Sequence, residues 1–230
     1  AGTTVPSWLS FTASTGALTG TPLNAHVGDH SVVITASDQN SGSTTQSFTI
    51  TVANVNDAPT ITSTAVTSAT EDSAYSYTVT TSDVDSGDTV TLAGTTVPSW
   101  LSFNASTGAL TGTPLNAHVG NHEVVITATD ESSSSVTQSF TIAVANVNDA
   151  PTFTSTAVTS ATEDSAYSYT VTTSDVDSGD TVTLAGTTVP SWLSFTASTG
   201  ALTGTPLNAH VGDHSVVITA SDQNSGSTTQ

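Results

Sequence analysis

Acidic side chains recur at fixed spacing along this chain, and their chemistry is that of metal ligands. Asp83, Asp85 and Asp88 form a D-x-D-x-x-D pattern rich in turn residues, and Asp130 ends a later run of alternating apolar residues. The chain has 19 Asp and Glu but no Lys or Arg, so no carboxylate can pair with either cation within the chain. Because clustered carboxylates repel one another, a bound cation is the simplest way to neutralise them.

Calcium is the cation that these residue types fit best. Asp and Asn on flexible loops suit its loose coordination by about six to eight oxygens, whereas magnesium requires a tighter octahedron. Zinc would favour Cys or His. The alternative is that the acids are ordinary turn residues, because turns prefer Asp, Asn, Ser and Gly. The joint occurrence of this turn with a linker motif and with Glu71 favours the metal site.

The sequence repeats with a period of 92 residues. The string AGTTVPSWLSF begins at Ala1, Ala93 and Ala185. Domain edges are predicted at two identical linkers, residues 54–59 and 146–151, because Pro after a polar run interrupts a strand. The prediction is three segments, which are residues 1–57 as the C-terminal part of a repeat, 58–149 as a complete repeat, and 150–230 as a repeat without its last strand.

Short alternating runs predict the fold of each repeat. Tyr75, Tyr77 and Val79 alternate with Ser and Thr, and Val124, Ile126 and Ala128 alternate with partly polar residues. Further strands are predicted at 61–66, 90–92, 100–103, 109–110 and 140–144. About seven short strands indicate an all-β fold of immunoglobulin-like Greek-key β-sandwiches in tandem. Trp100, beside Leu and Phe, is expected in the core rather than on a sugar-binding surface.

The sandwich also predicts where the acids meet. Loops that join alternate strands gather at one pole, so the turn of Asp83, Asp85 and Asp88 is expected beside Asp130. The linker residue Asp57 arrives at the same pole. The pole of each repeat that faces the preceding linker is therefore the predicted metal site.

Charge and composition exclude several other functions. A net charge of −19 repels nucleic acid and anionic lipid, so neither is an expected partner. The chain has no Cys, and no apolar run reaches the roughly 20 residues of a membrane span. We expect no membrane insertion within these residues.

No candidate catalytic group persists through the copies, which argues against an enzyme. Each repeat carries His-x-x-x-His, as in His118 and His122, but the segment contains Gly and runs into a strand, which disfavours a zinc pair. A Ser-His-Asp triad around Asp29 fails because the second copy has Asn121 in place of that aspartate.

The repeat resembles the dystroglycan-type cadherin-like repeat of large bacterial surface proteins. The resemblance is carried by PSWLSF at 98–103, TGALTGTP at 107–114 and the strand that ends at Asp130. The Asn-Val-Asn-Asp linker is similar to the cadherin DxND signature, and Asp83-Val84-Asp85 to its DxD. The resemblance implies cadherin-like sandwiches in a linear rod with Ca²⁺ between successive repeats.

The resemblance also implies ligand sets at two junctions. We call the linker at 54–59 with its surroundings the first junction, and the linker at 146–151 with its surroundings the second junction. The first would use Asn54, Asn56, Asp57, Asp83, Asp85 and Asp130. The second would use Glu71, Asn146, Asn148, Asp149, Asp175, Asp177 and Asp222. No counterpart of the cadherin Asp-Arg-Glu loop is found.

These observations predict a structural extender of an extracellular, cell-surface bacterial adhesin, stiffened by calcium and in contact with neighbouring repeats. Near-identical copies favour a spacer, because a protein rarely needs many copies of one specific binding site. The alternatives are a carbohydrate-binding or cell-adhesion module that binds surface glycans, and a subunit of a self-assembling extracellular filament that binds like chains.

Overall fold

Alternation of apolar and polar residues produces short strands along the chain. The computed structural model describes residues 2–230. Ala1, where the predicted 1–57 segment begins, lies outside the described residues. Within residues 2–230 the helical elements are three short 3-10 turns, at Asn24–His26, Asn116–His118 and Asn208–His210. The all-β prediction is confirmed.

The chain divides into two compact units. One comprises the residues up to Thr67 together with Ser76–Thr111 and Glu123–Thr141. The other comprises Ser68–Tyr75, Gly112–His122 and Ile142–Gln230. Each junction lies within one unit, the first junction in the former and the second junction in the latter. The segment boundaries after residues 57 and 149 remain predictions.

The first segment forms five strands in two antiparallel sheets. The strands are β1 (Gly2–Thr4), β2 (Leu9–Thr12), β3 (Ala17–Gly20), β4 (Gly28–Ser37) and β5 (Ser43–Val52). One sheet has the order β1-β4-β5, and the other pairs β2 with β3. These strands correspond in sequence to the last five strands of the middle segment.

The middle segment has nine strands, of which two contain only two residues each. The strands are β6 (Thr60–Ile61), β7 (Ser68–Thr70), β8 (Tyr75–Thr78), β9 (Thr81–Ser82), β10 (Thr91–Thr96), β11 (Leu101–Asn104), β12 (Ala109–Gly112), β13 (Gly120–Thr129) and β14 (Ser135–Ala145). They form sheets of order β10-β13-β14-β7 and β11-β12-β8, with β6 paired to β9. The seven longer strands are the number predicted for the sandwich.

The third segment repeats most of this arrangement. Its strands are β15 (Thr152–Phe153), β16 (Tyr167–Thr170), β17 (Thr173–Ser174), β18 (Thr183–Thr188), β19 (Leu193–Thr196), β20 (Ala201–Gly204), β21 (Val217–Ser221) and β22 (Ser227–Thr229). The sheets have the orders β18-β21-β22, β16-β20-β19 and β15-β17. A cavity of about 750 Å³ lies beside Ile218 and Tyr167.

Core packing follows the predicted alternation. Val124, Ile126 and Ala128 of β13 are fully buried. The Tyr77 and Phe140 rings meet edge to face with centroids 5.7 Å apart, which joins β8 of one sheet to β14 of the other. Trp100 is buried, as predicted for a core residue.

Two parts of the strand prediction differ from the structure. The run at 61–66 forms a strand only at Thr60–Ile61, because the Ser63 hydroxyl bonds to the Tyr77 hydroxyl at 2.8 Å and accepts from the Thr80 amide at 3.0 Å. These side-chain bonds replace a continuing ladder. Strand β7 was not predicted, because three residues of Ser, Ala and Thr carry no alternation.

Candidate metal centres

The first junction attaches the linker to the middle segment through carboxylates. The Asp57 amide donates to Asp85 Oδ2 at 2.7 Å. The Asn56 side-chain amide donates to Asp130 Oδ2 at 2.8 Å and to the Ser134 hydroxyl at 2.9 Å. Linker and loops therefore meet at one pole, as the sandwich predicted.

Three carboxylates beside this linker form the Asp83 cluster, which consists of Asp83, Asp88 and Asp130. One oxygen from each residue lies within 4.8 Å of the others. The Oδ2 atoms of Asp83 and Asp88 are buried and have no hydrogen-bond partner, and neither does Oδ1 of the nearby Asp85, which is 5% exposed. Buried carboxylate oxygens without donors are unfavourable unless a cation satisfies them.

The pKa values of this cluster reflect its crowding. Burial, followed by the charges of Asp83, Asp85 and Glu131, raises the pKa of Asp88 above its ordinary value. The hydrogen bond from Asn56 lowers the pKa of Asp130. Asp88 thus lies in a field of negative charge, whereas the linker amide stabilises Asp130 in its ionised form.

The second junction contains the most buried acid of the described residues. Glu71 is 0% exposed, its Oε1 accepts from the Val147 amide, and its Oε2 is buried without a partner. Glu71, Asp149 and Asp177 each place one oxygen within 4.8 Å of the others. We call these three residues the Glu71 cluster. The Asp149 amide donates to Asp177 Oδ2 at 2.7 Å, as Asp57 does at the first junction.

Strand β7 positions Glu71. It pairs in parallel with the end of β14, with Ser68 opposite Ala143 and Thr70 opposite Ala145. The Glu71 amide continues the ladder by donating to the Ala145 carbonyl at 3.0 Å. Because β14 runs directly into the linker, this pairing places the Glu71 carboxylate beside residue 147.

A third group, the Asp175 cluster, consists of Asp175, Asp180 and Asp222, again with one oxygen from each within 4.8 Å of the others. Asn148 donates to Asp222 Oδ2 at 2.9 Å and lowers the pKa of that carboxyl. Asp175 Oδ2 is buried without a partner. The arrangement repeats that of the Asp83 cluster one period later.

The structure also departs from the ligand sets that the resemblance implied. Asn54 and Asn146 are exposed, and neither side chain makes a hydrogen bond within the described residues. Asp88 and Asp180 lie inside clusters although neither belonged to those sets. The D-x-D-x-x-D spacing could have identified both residues, since the third acid of the pattern lies in the same turn as the first two.

The donor set fits a hard divalent cation. The three clusters offer carboxylate oxygens, with linker Asn amides in contact with two of them, and oxygen is the donor atom that calcium takes. Histidine nitrogens are used elsewhere, since His118 Nδ1 accepts from the Leu115 amide at 2.9 Å and His122 Nε2 donates to the His118 carbonyl at 2.7 Å. The described residues thus provide acidic clusters that could bind a metal of the calcium type.

In residues 2–230 no helix has the length and apolar character that crossing a membrane would require.

Comparison with known proteins agrees with this architecture. Over 138 residues, or 60% of the chain, the sequence is 33% identical to the "Serine-rich adhesin for platelets" of Staphylococcus aureus strain MSSA476. The match spans only 6% of that protein.

Solved structures with a similar fold include cadherin repeats. "PcdhgB3 EC1-4" aligns with 96% of this chain and 61% of its own, with a TM-score of 0.59 and 17% identity. "Human CDH23 EC21-23" aligns with 96% of this chain and 79% of its own, with a TM-score of 0.56 and 19% identity. At this identity the likeness concerns the fold alone.

The family described as "Putative Ig domain" matches residues 1–53, 58–145 and 150–230, which is nearly the whole chain. The chain therefore belongs to this family of immunoglobulin-like domains.

Proposed function

We propose that the chain is a structural extender of an extracellular surface protein of the adhesin type, in which Ca²⁺ at the junctions limits bending between successive repeats. The observation that carries this proposal is Glu71, a fully buried carboxylate that has one unpartnered oxygen and belongs to one cluster with Asp149 and Asp177. In a chain without Lys or Arg, no side-chain cation of that kind can satisfy it.

At the second junction, two groups would hold ions. The Glu71 cluster joins an acid of the middle segment to the linker and to the third segment. The Asp175 cluster, with Asn148, ties the linker to the third segment. Since Glu71 and Asp177 come from different segments, an ion shared between them would resist bending at this linker.

At the first junction, the Asp83 cluster with Asn56 is the corresponding position. Asp57 and Asp85 supply further oxygens beside it. We expect binding in about the 10⁻⁴–10⁻³ M range, which is typical of extracellular modules. Asn54 and Asn146 are the weakest members of the implied ligand sets, because both are exposed and neither side chain makes a hydrogen bond within the described residues.

The cell-surface location and the finer label of dystroglycan-type cadherin-like repeat belong to this proposal as well. They are supported by the name of the staphylococcal adhesin, by the repeat sequence PSWLSF to TGTP, and by the cadherin-like fold. Near-identical repeats suit a spacer better than a glycan-binding module. Binding of one isolated repeat to a glycan array would favour the glycan-binding module instead.

Small-angle X-ray scattering of the 230-residue chain tests the extender. In millimolar calcium we expect a longer maximum dimension and a narrower range of conformations than in chelator. The variant Glu71→Gln keeps the shape of the side chain but removes its charge, so it should require roughly tenfold more calcium to reach the stiff state.

Glu163→Gln is the matched control, because Glu163 occupies the same repeat position in the third segment but is exposed. It should titrate like the original chain. Scattering curves that do not change between calcium and chelator would overturn the stiffening model.

A further inference from the structure

The short 3-10 turn Asn116–His118 brings a neutral side chain into the second junction. The Asn116 side-chain nitrogen donates to Asp149 Oδ2 at 2.9 Å and to Asp177 Oδ1 at 3.1 Å. One amide thus contacts two of the three members of the Glu71 cluster. No sequence signal marked this residue, because the turn carries no charge.

The two histidines that each repeat carries at the same spacing hold this turn in place. The His118 amide donates to the Leu115 carbonyl at 2.7 Å, and its Nδ1 accepts from the Leu115 amide at 2.9 Å. His122 Nε2 then donates to the His118 carbonyl at 2.7 Å. These bonds fix the backbone on both sides of Asn116 and therefore the direction in which its amide extends.

We propose that Asn116 is a further ligand residue of the second junction, with two alternative roles for its amide. The inference rests on the proposed function. Without an ion, the amide nitrogen bridges Asp149 and Asp177 and reduces their repulsion. With Ca²⁺ bound by the Glu71 cluster, the amide turns and offers its oxygen, since an Asn side chain carries both a donor and an acceptor end.

The second observation that points to an ion here is independent of Asn116. Glu71 Oε2 is fully buried and unpartnered in the same cluster. The amide of Asn116 donates to the other two carboxylates but makes no bond to Glu71 among the described contacts. A single neutral amide therefore leaves the charge of the cluster uncompensated, and the ion-free state is only partly stabilised.

The other two copies of this asparagine provide internal comparisons. Asn24 donates to Asp57 Oδ2 at 2.6 Å at the first junction. Asn208 lies in an identical turn, is exposed, and its side chain makes no hydrogen bond within the described residues. Substitutions of Asn208 therefore remove the same chemical group without touching a junction.

Calcium titration calorimetry and thermal unfolding of the 230-residue chain test this role. Asn116→Ala should weaken one class of calcium sites about tenfold, the usual size for loss of a supporting group at a metal. Asn208→Ala should leave all sites unchanged. In chelator, Asn116→Ala should also unfold at a lower temperature than Asn208→Ala, because the bridging donor is lost.

Asn116→Asp separates a ligand from a merely structural residue. A fourth carboxylate added to the Glu71 cluster should lower the unfolding temperature in chelator but tighten calcium binding and raise the unfolding temperature in calcium. A structural asparagine would give a lower temperature in both conditions. Asn208→Asp should show neither effect.

The outcomes distinguish this inference from the function on which it rests. If the unmodified chain takes up no calcium, the proposed function fails. If it binds calcium but both Asn116 variants titrate like their Asn208 controls, only the role of Asn116 fails.

Discussion

The two linkers have the same six residues, Asn-Val-Asn-Asp-Ala-Pro, yet the loops that surround them differ. Beside the first linker, Glu131 adds a negative charge near Asp88 and helps to raise its pKa. Beside the second linker, Gln223 stands at the matching position and donates to Asp180 Oδ1 at 3.2 Å. Asn224 adds a second donor to Asp180, at 2.9 Å.

This difference shows that exposed loop residues can set the charge of a junction while the linker stays unchanged. The Asp83 cluster is surrounded by further acids, so its ion-free state is strained by repulsion. In the Asp175 cluster, two side-chain amides already compensate part of the charge on Asp180. We therefore expect the Asp83 cluster to gain more from a cation than the Asp175 cluster does.

The largest expected effect comes from removing the negative charge of the aspartate that accepts from the backbone amide of Asp57 or Asp149. Asp177→Asn should abolish the calcium site of the Glu71 cluster but leave the Asp175 cluster able to bind, and Asp85→Asn should strongly weaken calcium binding at the first junction only. In both variants an amide oxygen can still accept the linker N–H, so the loss would reflect charge. Calorimetric stoichiometry measures the result, and each variant serves as the other's control. Loss of all sites in either one would contradict separate junctions.

A smaller effect is expected from exchanging the loop charge. Glu131→Gln should weaken calcium binding at the Asp83 cluster about threefold and raise the unfolding temperature in chelator, because a long-range repulsion is removed. The reverse exchange, Gln223→Glu, should do the opposite at the Asp175 cluster. Added sodium chloride should shrink both differences through screening. Equal shifts at high and low salt would argue against an electrostatic cause.

The smallest effect is expected from the side chain that supports the linker asparagine. Ser134→Gly removes one acceptor of Asn56 but leaves its bond to Asp130, so chemical denaturation should show a loss of about 1 kcal/mol or less. The reverse change is not symmetric. A Cβ on Gly226 would meet the Asp222 carboxylate and the Asn148 amide, so Gly226→Ser should lower stability by more than Ser134→Gly.

Much of the fold could be predicted from the sequence because core alternation is local. Tyr75, Tyr77 and Val79 are buried on one side of the chain as the period of two requires. The short strand β7 could not be predicted, because its existence depends on pairing with a strand more than 70 residues later in the chain. Local patterns do not contain such contacts.

The same difference between local patterns and distant contacts decides which site residues could be predicted. Asp83 and Asp130 were singled out because charged residues at strand ends and turns are visible in a sequence. Asn116 was missed, because an uncharged residue in a three-residue turn resembles any other loop residue until its contacts with Asp149 and Asp177 are known. The binding of calcium by these groups stays a prediction.

The side chains that meet at the second junction come from two successive copies of the 92-residue repeat. Glu71 and Asn116 come from one period of the sequence, whereas Asp177 and Asp222 come from the next. Each of these side chains has an identical counterpart 92 residues away, at Glu163, Asn208, Asp85 and Asp130. Insertion or deletion of a whole period, wherever the exchange between copies occurs, regenerates a complete set of contacts at every boundary. Genetic recombination can therefore alter the reach of such a protein without requiring any new interface to evolve.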